Sequence, residues 1–132
     1  MFRFIAALVL ALAFAVPATA QEAKRGLTPV TGDTYRWQNN FHYSFVVKTE
    51  VGIVVVDPIN EGSAAALKDE IAKRFNQPVI ALIYSHSHGD HASGGKTLDA
   101  ALAIAQENAP ADIFVVRPEK RVGDLMSIKV GG

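Results

Sequence analysis

Two short runs, Ile53-Val54-Val55-Val56 and Val79 to Tyr84, are apolar at every position. A strand with one wet face alternates apolar and polar residues, so a run apolar on both sides belongs inside a sheet that is covered on both faces. Between the runs, Ala64, Leu67, Ile71 and Phe75 form one stripe at helical spacing, and Lys68, Asp69, Lys73 and Arg74 point away from it. Gly62-Ser63 opens this helix with Ser63 as the expected N-cap, and Asn76 and Pro78 stop it. Strand, helix and strand in that order place the chain in the α/β class, with a mixed β-sheet and flanking helices.

Upstream of this unit, Leu27 to Val30 reads as an edge strand, where Pro29 loses only one ladder donor. Thr31-Gly32-Asp33 is a turn, Thr34 to Trp37 is β-prone, and Gln38-Asn39-Asn40 is expected to be a polar loop that runs on to His42. Tyr43 to Lys48 and Ile53 to Val56 form a hairpin through Thr49-Glu50-Val51-Gly52. Downstream, residues 96–108 are ambiguous between helix and strand. Ile113 to Val116 is a candidate strand, Pro118 to Asp124 a charged turn region, and Leu125 to Val130 an alternating, closing strand.

The chemistry lies directly after the second apolar strand. His86-Ser87-His88-Gly89-Asp90-His91 holds three of the four histidines and an aspartate. The chain has no cysteine, so imidazole and carboxylate are the zinc-ligand types that remain. Residues two apart in extended backbone point the same way, so His86 and His88 can face one ion. Asp90 and His91 can face a second position, and paired hydrolytic metals stand about 3.5–4 Å apart. Small residues (Ser87, Gly89, Ala92, Ser93, Gly94, Gly95) leave room for metal and substrate. A loop just beyond the carboxyl end of a strand is the usual place for a site in such sheets.

This H-x-H-x-D-H pattern, with Ser93-Gly94-Gly95 behind it and Ile53 to Asp57 upstream, resembles the signature of the metallo-β-lactamase superfamily. Ala103 to Ala109 is similar to a strand of that family leading into a helix. The resemblance implies a metallo-β-lactamase-like αββα sandwich and hydrolysis by metal-activated water, with one or two Zn2+ ions. It implies that His86 and His88 hold the first ion and that Asp90 and His91 hold the second. Asp90 would also be the catalytic group that orients the attacking water or takes its proton. Asp57 would hold the loop by hydrogen bonds behind the ligands, and His42 would lie in a loop that reaches substrate. Trp37, Phe41 and Tyr43 are expected to be packing residues. The family acts on lactams, thioesters, lactones, sulfate and phosphate esters and nucleic acids, which leaves the substrate open. Family members carry further metal ligands in a C-terminal half, and here no histidine follows His91. The expectation is therefore residues 21–132 as the N-terminal, truncated part of such a domain. It would bind zinc weakly and hydrolyse poorly, or persist as a non-catalytic zinc-binding fragment. It would also present an uncovered, apolar sheet face through which copies could associate.

Residues 1–20 read as a secretory signal: Arg3, an apolar run from Phe4 to Val16, Pro17, and an Ala18-Thr19-Ala20 cleavage site. Thirteen apolar residues span only ~20 Å as a helix, short of the ~30 Å bilayer core. The expected product is periplasmic or secreted, with no membrane association after cleavage. Thirteen basic residues balance thirteen acidic ones, which gives no field to attract nucleic acid. A small-molecule substrate is the expected partner.

Overall fold

The computed structural model describes residues 22–110 and 118–129. The signal expected over residues 1–20, the strand expected at 113–116 and Val130 lie outside them. Among the described residues no helix is long and apolar enough to cross a membrane.

Among the described residues, seven strands form one mixed sheet in sequence order: β1 (Arg25–Thr31), β2 (Thr34–Asn39), β3 (His42–Lys48), β4 (Ile53–Val56), β5 (Val79–Ile83), β6 (Ala103–Gln106) and β7 (Lys120–Val122). β1 to β4 pair antiparallel and β4 to β7 pair parallel. The long helix α1 (Glu61–Phe75) connects β4 to β5, and two single turns, α2 (Gly89–Ala92) and α3 (Gly95–Leu98), follow β5.

The expected helix stripe is the buried one. Ala64, Leu67 and Ile71 are almost fully enclosed and Phe75 partly so. They share one core with Leu27, Trp37, Val46, Val55, Leu82 and Ala103. The registers Val46↔Val55, Val55↔Leu82 and Leu82↔Ala103 put four of these side chains in one row across the sheet. The helix begins one turn earlier than expected. Asn60 is its N-cap and accepts from the Ser63 amide at 2.9 Å. Ser63 is buried and accepts from Trp37 Nε1 at 2.9 Å. Asn76, at φ 50°, ends the helix in the left-handed conformation that asparagine tolerates.

The polar loop expected at residues 38–40 is much shorter. β2 continues to Asn39, which pairs with His42, so Asn40 and Phe41 alone form the turn. Asn40 takes φ 57° there, and Asn39 is buried against Arg25 Nε at 2.7 Å. Trp37 packs as expected, whereas Phe41 at the turn is 93% exposed. Gly52 closes the β3–β4 hairpin. A Cβ on it would lie 2.5 Å from the Ile80 side chain and 2.9 Å from the Pro78 carbonyl.

Residues 96–108 resolve into both alternatives in succession: α3, a left-handed Asp99, then β6. The charged region 118–124 contains a strand, β7, at the sheet edge, where charged side chains discourage pairing with other chains. Residues 123–129 form no strand. Met126 and Ile128 instead line depressions on the second face of the sheet, with Val54, Ala81, Ile83 and Ile104. Among the described residues, the exposed apolar side chains of this region are Tyr43, Phe45, Leu125, Met126 and Ile128.

Candidate metal centre

The registers carry three separate stretches to one end of the central strands. Val56↔Ile83 is a parallel pair, so β4 and β5 end side by side and their next residues, Asp57 and Tyr84-Ser85, leave together. Phe45↔Val56 is antiparallel, so the start of β3 with His42 projects past the same end. Ser44 Oγ donates to the Asp57 carbonyl at 2.6 Å and fastens β3 to the exit of β4.

Asp57 is the buried anchor. Its Oδ1 accepts from the Ser85 amide at 2.8 Å and its Oδ2 from the Ser85 hydroxyl at 2.6 Å. His91 Nδ1 faces the same Oδ2 at 3.4 Å; it is buried and lacks a hydrogen-bond partner among the described residues. Ser85 Oγ lies 2.8 Å from His86 Nδ1. With its proton given to Asp57, the hydroxyl accepts from that nitrogen, which leaves His86 Nε2 bearing a lone pair. The segment that makes this possible is strained: Asp57 and Ile59 have φ 61° and 63°. Such values are unusual, above all for β-branched isoleucine, and they persist only where surroundings enforce them. The surroundings here are the Ile59 amide bond to the His91 carbonyl at 3.0 Å and the Gly94 amide bond to the Ile59 carbonyl at 3.2 Å. They tie α2 to the exit of β4.

Asp90 and His91 ride on α2, and His88 caps it. His42 Nε2 lies 3.1 Å from Asp90 Oδ2, and His91 Nε2 lies 3.9 Å from the same oxygen. The His42 hydrogen bond is the main reason that the Asp90 carboxyl is held below its ordinary pKa; the two imidazoles add attraction.

The structure thus gathers two groups of three side chains, each with ligand atoms within 4.8 Å of one another: His42, Asp90 and His91, and Asp57, His86 and His91. His88 is brought beside His86, with ring centroids 4.8 Å apart, but belongs to neither group. The two rings lie side by side ahead of α2, which begins immediately after His88 and carries Asp90 and His91. Sequence reasoning missed Ser85, whose only signal is its place between the apolar strand and His86. It also placed His42 in a loop, where the structure makes it the first residue of β3. Imidazole and carboxylate donors at this spacing fit zinc, whose ligand distances are about 2.0–2.2 Å, after small side-chain movements.

A family model of the metallo-β-lactamase superfamily matches residues 37–131. The chain belongs to the metallo-β-lactamase superfamily. Solved structures of the superfamily share its fold. A metallo-β-lactamase from Pontibacter korlensis superposes with TM-score 0.70 at 17% identity, over 83% of this chain and 57% of that one. The FEZ-1 metallo-β-lactamase from Legionella gormanii gives 0.69 at 18%, over 80% and 49%. A class B3 di-zinc metallo-β-lactamase from an Alaskan soil metagenome gives 0.66 at 16%, over 80% and 48%. The chain therefore spans about half the length of these superfamily structures and carries part of their α/β sandwich. In sequence it is 38% identical over 72 residues to a linear primary-alkylsulfatase from Pseudomonas sp., which covers 52% of this chain and 11% of that protein.

Proposed function

We propose that this chain is a zinc-dependent hydrolase of the metallo-β-lactamase superfamily whose substrates are small sulfate esters. The observation that carries the reading is the convergence of His42, Asp57, His86, Asp90 and His91 from three separate stretches at one end of the sheet. The di-zinc superfamily neighbour supports zinc as the ion, and the match to a linear primary-alkylsulfatase supports the ester class.

The protein's own groups have distinct tasks. Asp57, through Ser85, fixes the start of the metal loop, and its carboxylate faces His91 Nδ1 so that Nε2 turns outward. A carboxylate behind a ligating imidazole sets its orientation and raises its basicity. Asp90, exposed and kept ionised by His42, accepts the proton of the attacking water. A bound divalent ion supplies Lewis-acid polarisation of the ester oxygen and lowers the pKa of water to about 7. With donors from few residues, zinc binds weakly. The apolar run 4–16 and the Ala18-Thr19-Ala20 site support export.

The test is zinc titration of the purified chain by calorimetry, followed by sulfate release from octyl sulfate with and without zinc. Zinc binding that is lost in His91→Ala, and sulfate release that is lost in Asp90→Asn, are the expected results. A chain that takes up no zinc at millimolar concentration refutes the metal reading. One that binds zinc yet leaves octyl sulfate intact refutes the substrate class.

A further inference from the structure

We propose that His42 is a direct ligand of the metal, and that the ion sits in the group formed by His42, Asp90 and His91. The proposal rests on the metal reading above and deepens it. Both three-residue groups contain His91, and one neutral imidazole offers a single lone pair, so one ring serves one ion. Three observations choose between the groups.

The first is the state of Asp57. Both of its oxygens are engaged by Ser85, at 2.8 and 2.6 Å, and the residue is buried. As a ligand it would have to share the oxygens that hold the loop carrying the other ligands. The second is the orientation of His91. Its Nδ1 is buried and faces Asp57 Oδ2 at 3.4 Å, whereas Nε2 faces the exposed Asp90. The ring thus presents Nε2 to the ion and keeps Nδ1 for the carboxylate, the arrangement usual for ligating histidines. The third is freedom to close. The donors of a tetrahedral zinc site stand about 3.3–3.5 Å apart, given bonds of about 2.0–2.1 Å. The 3.1 Å pair His42–Asp90 is slightly closer than this and the 3.9 Å pair His91–Asp90 slightly wider, so both need only small movements. The His42 and Asp90 side chains, 36% and 58% exposed, are free to make it. The backbones behind them are fixed by the Asn39↔His42 pair and by the bonds that tie α2 to Ile59.

Two nitrogens and one carboxylate from a strand and a helical turn form a set that suits zinc with positions left open for water and substrate. The nitrogen of His42 comes from upstream of the histidine-rich motif, where the linear pattern has no reason to seek it.

The full chain, labelled with 15N-histidine, is examined by long-range 1H–15N correlation before and after addition of Zn2+, with its four rings assigned from single variants. His42 Nε2 and His91 Nε2 are expected to move to the shift of metal-bound nitrogen. Movement of His86 and His91 without His42 overturns the proposal and leaves the metal reading standing. No movement of any ring overturns both. His42→Ala is expected to raise the zinc Kd about 100-fold or more, at or above the upper end seen for residues behind the ligands, with a single cooperative thermal transition as the check on folding. A Kd within twofold of the parent chain overturns the proposal.

Discussion

Asp57 offers the sharpest perturbation of the site, because its side chain and its backbone make separable contributions. The side chain accepts two hydrogen bonds from Ser85, at 2.8 and 2.6 Å. A hydrogen bond to a charged group contributes about 1.5–3 kcal/mol. Ser85 is exposed, so donors freed by a mutation reach water, and each loss falls at the low end of that range. The backbone sits at φ 61°, where an alanine costs roughly 1–2 kcal/mol and where glycine or asparagine is tolerated. Asp57→Asn keeps one acceptor and the backbone, and loses about 1.5 kcal/mol. Asp57→Gly loses both bonds, about 3 kcal/mol. Asp57→Ala loses both and adds the backbone strain, about 4 kcal/mol. The inversion of glycine and alanine is the diagnostic, since alanine is normally the more stabilising by about 0.5–1 kcal/mol.

Urea unfolding followed by fluorescence of Trp37 measures all four proteins. It is the only tryptophan and is buried against Ser63, so its signal reports the packing of α1 on the sheet. For a domain of this size each kcal/mol also moves the thermal midpoint by about 4–8 °C. Three variants within about 0.5 kcal/mol of the parent would show that Asp57 does not hold the loop. An alanine variant as stable as the glycine variant would refute the backbone part of the reasoning.

Two further outcomes follow from neighbouring contacts. A Cβ on Gly94 would fall 2.6 Å from the Asn60 carbonyl oxygen and 2.8 Å from that of Pro58, both backbone. Gly94→Ala should therefore cost about 2–3 kcal/mol in urea unfolding and weaken zinc binding. Gly26→Ala, where a Cβ meets nothing within 4 Å, is the near-neutral control. Removing the His42 hydrogen bond should raise the Asp90 pKa towards 3.8, read by carboxyl 13C titration of His42→Ala in metal-free protein. Because the folded value in the parent chain lies below the unfolded one, the stabilisation is complete above the unfolded pKa and is lost as pH falls through the folded pKa. The variant should lose this part of the acid dependence, and an unshifted Asp90 would show that His42 is not its partner in solution.

The central strand–helix–strand unit was legible because each of its periods is carried by many residues at once. The stripe of α1 and the runs in β4 and β5 have no rival reading. Errors came where two rules compete over a few residues. Asn60 and Ser63 are both good capping types; Asn60 takes the cap because Ser63 is drawn into the core by the indole of Trp37. Gln38 and Asn39 look like loop residues, yet they extend β2 because the turn to β3 needs only two residues and Asn40 accepts φ 57°. Lys120 and Arg121 are charged and still form a strand with Val122, since an edge strand needs only one partner and β6 provides it. Leu125 to Lys129 alternates like a strand but lacks ladder bonds; Met126 and Ile128 turn to the sheet face instead, and Leu125 stays exposed.

The site divides along the same line. His86, Asp90 and His91 declare themselves because a local run of ligand types is improbable by chance, and Asp57 declares itself by the strand that it ends. His42 is a lone histidine among aromatic and polar neighbours, and nothing within ten residues of it speaks of metal. Its position beside Asp90 is the product of successive pairings, Asn39↔His42, Phe45↔Val56 and Val56↔Ile83, and a one-residue slip in any of them would turn the ring to the other face of the sheet. Register is fixed by the buried row Val46, Val55, Leu82 and Ala103, which tolerates no such slip without exposing the core. The packing that makes the fold unique is thus also what delivers the distant imidazole, and a substitution that loosened this row should separate His42 from Asp90 before it disturbed the histidine motif itself.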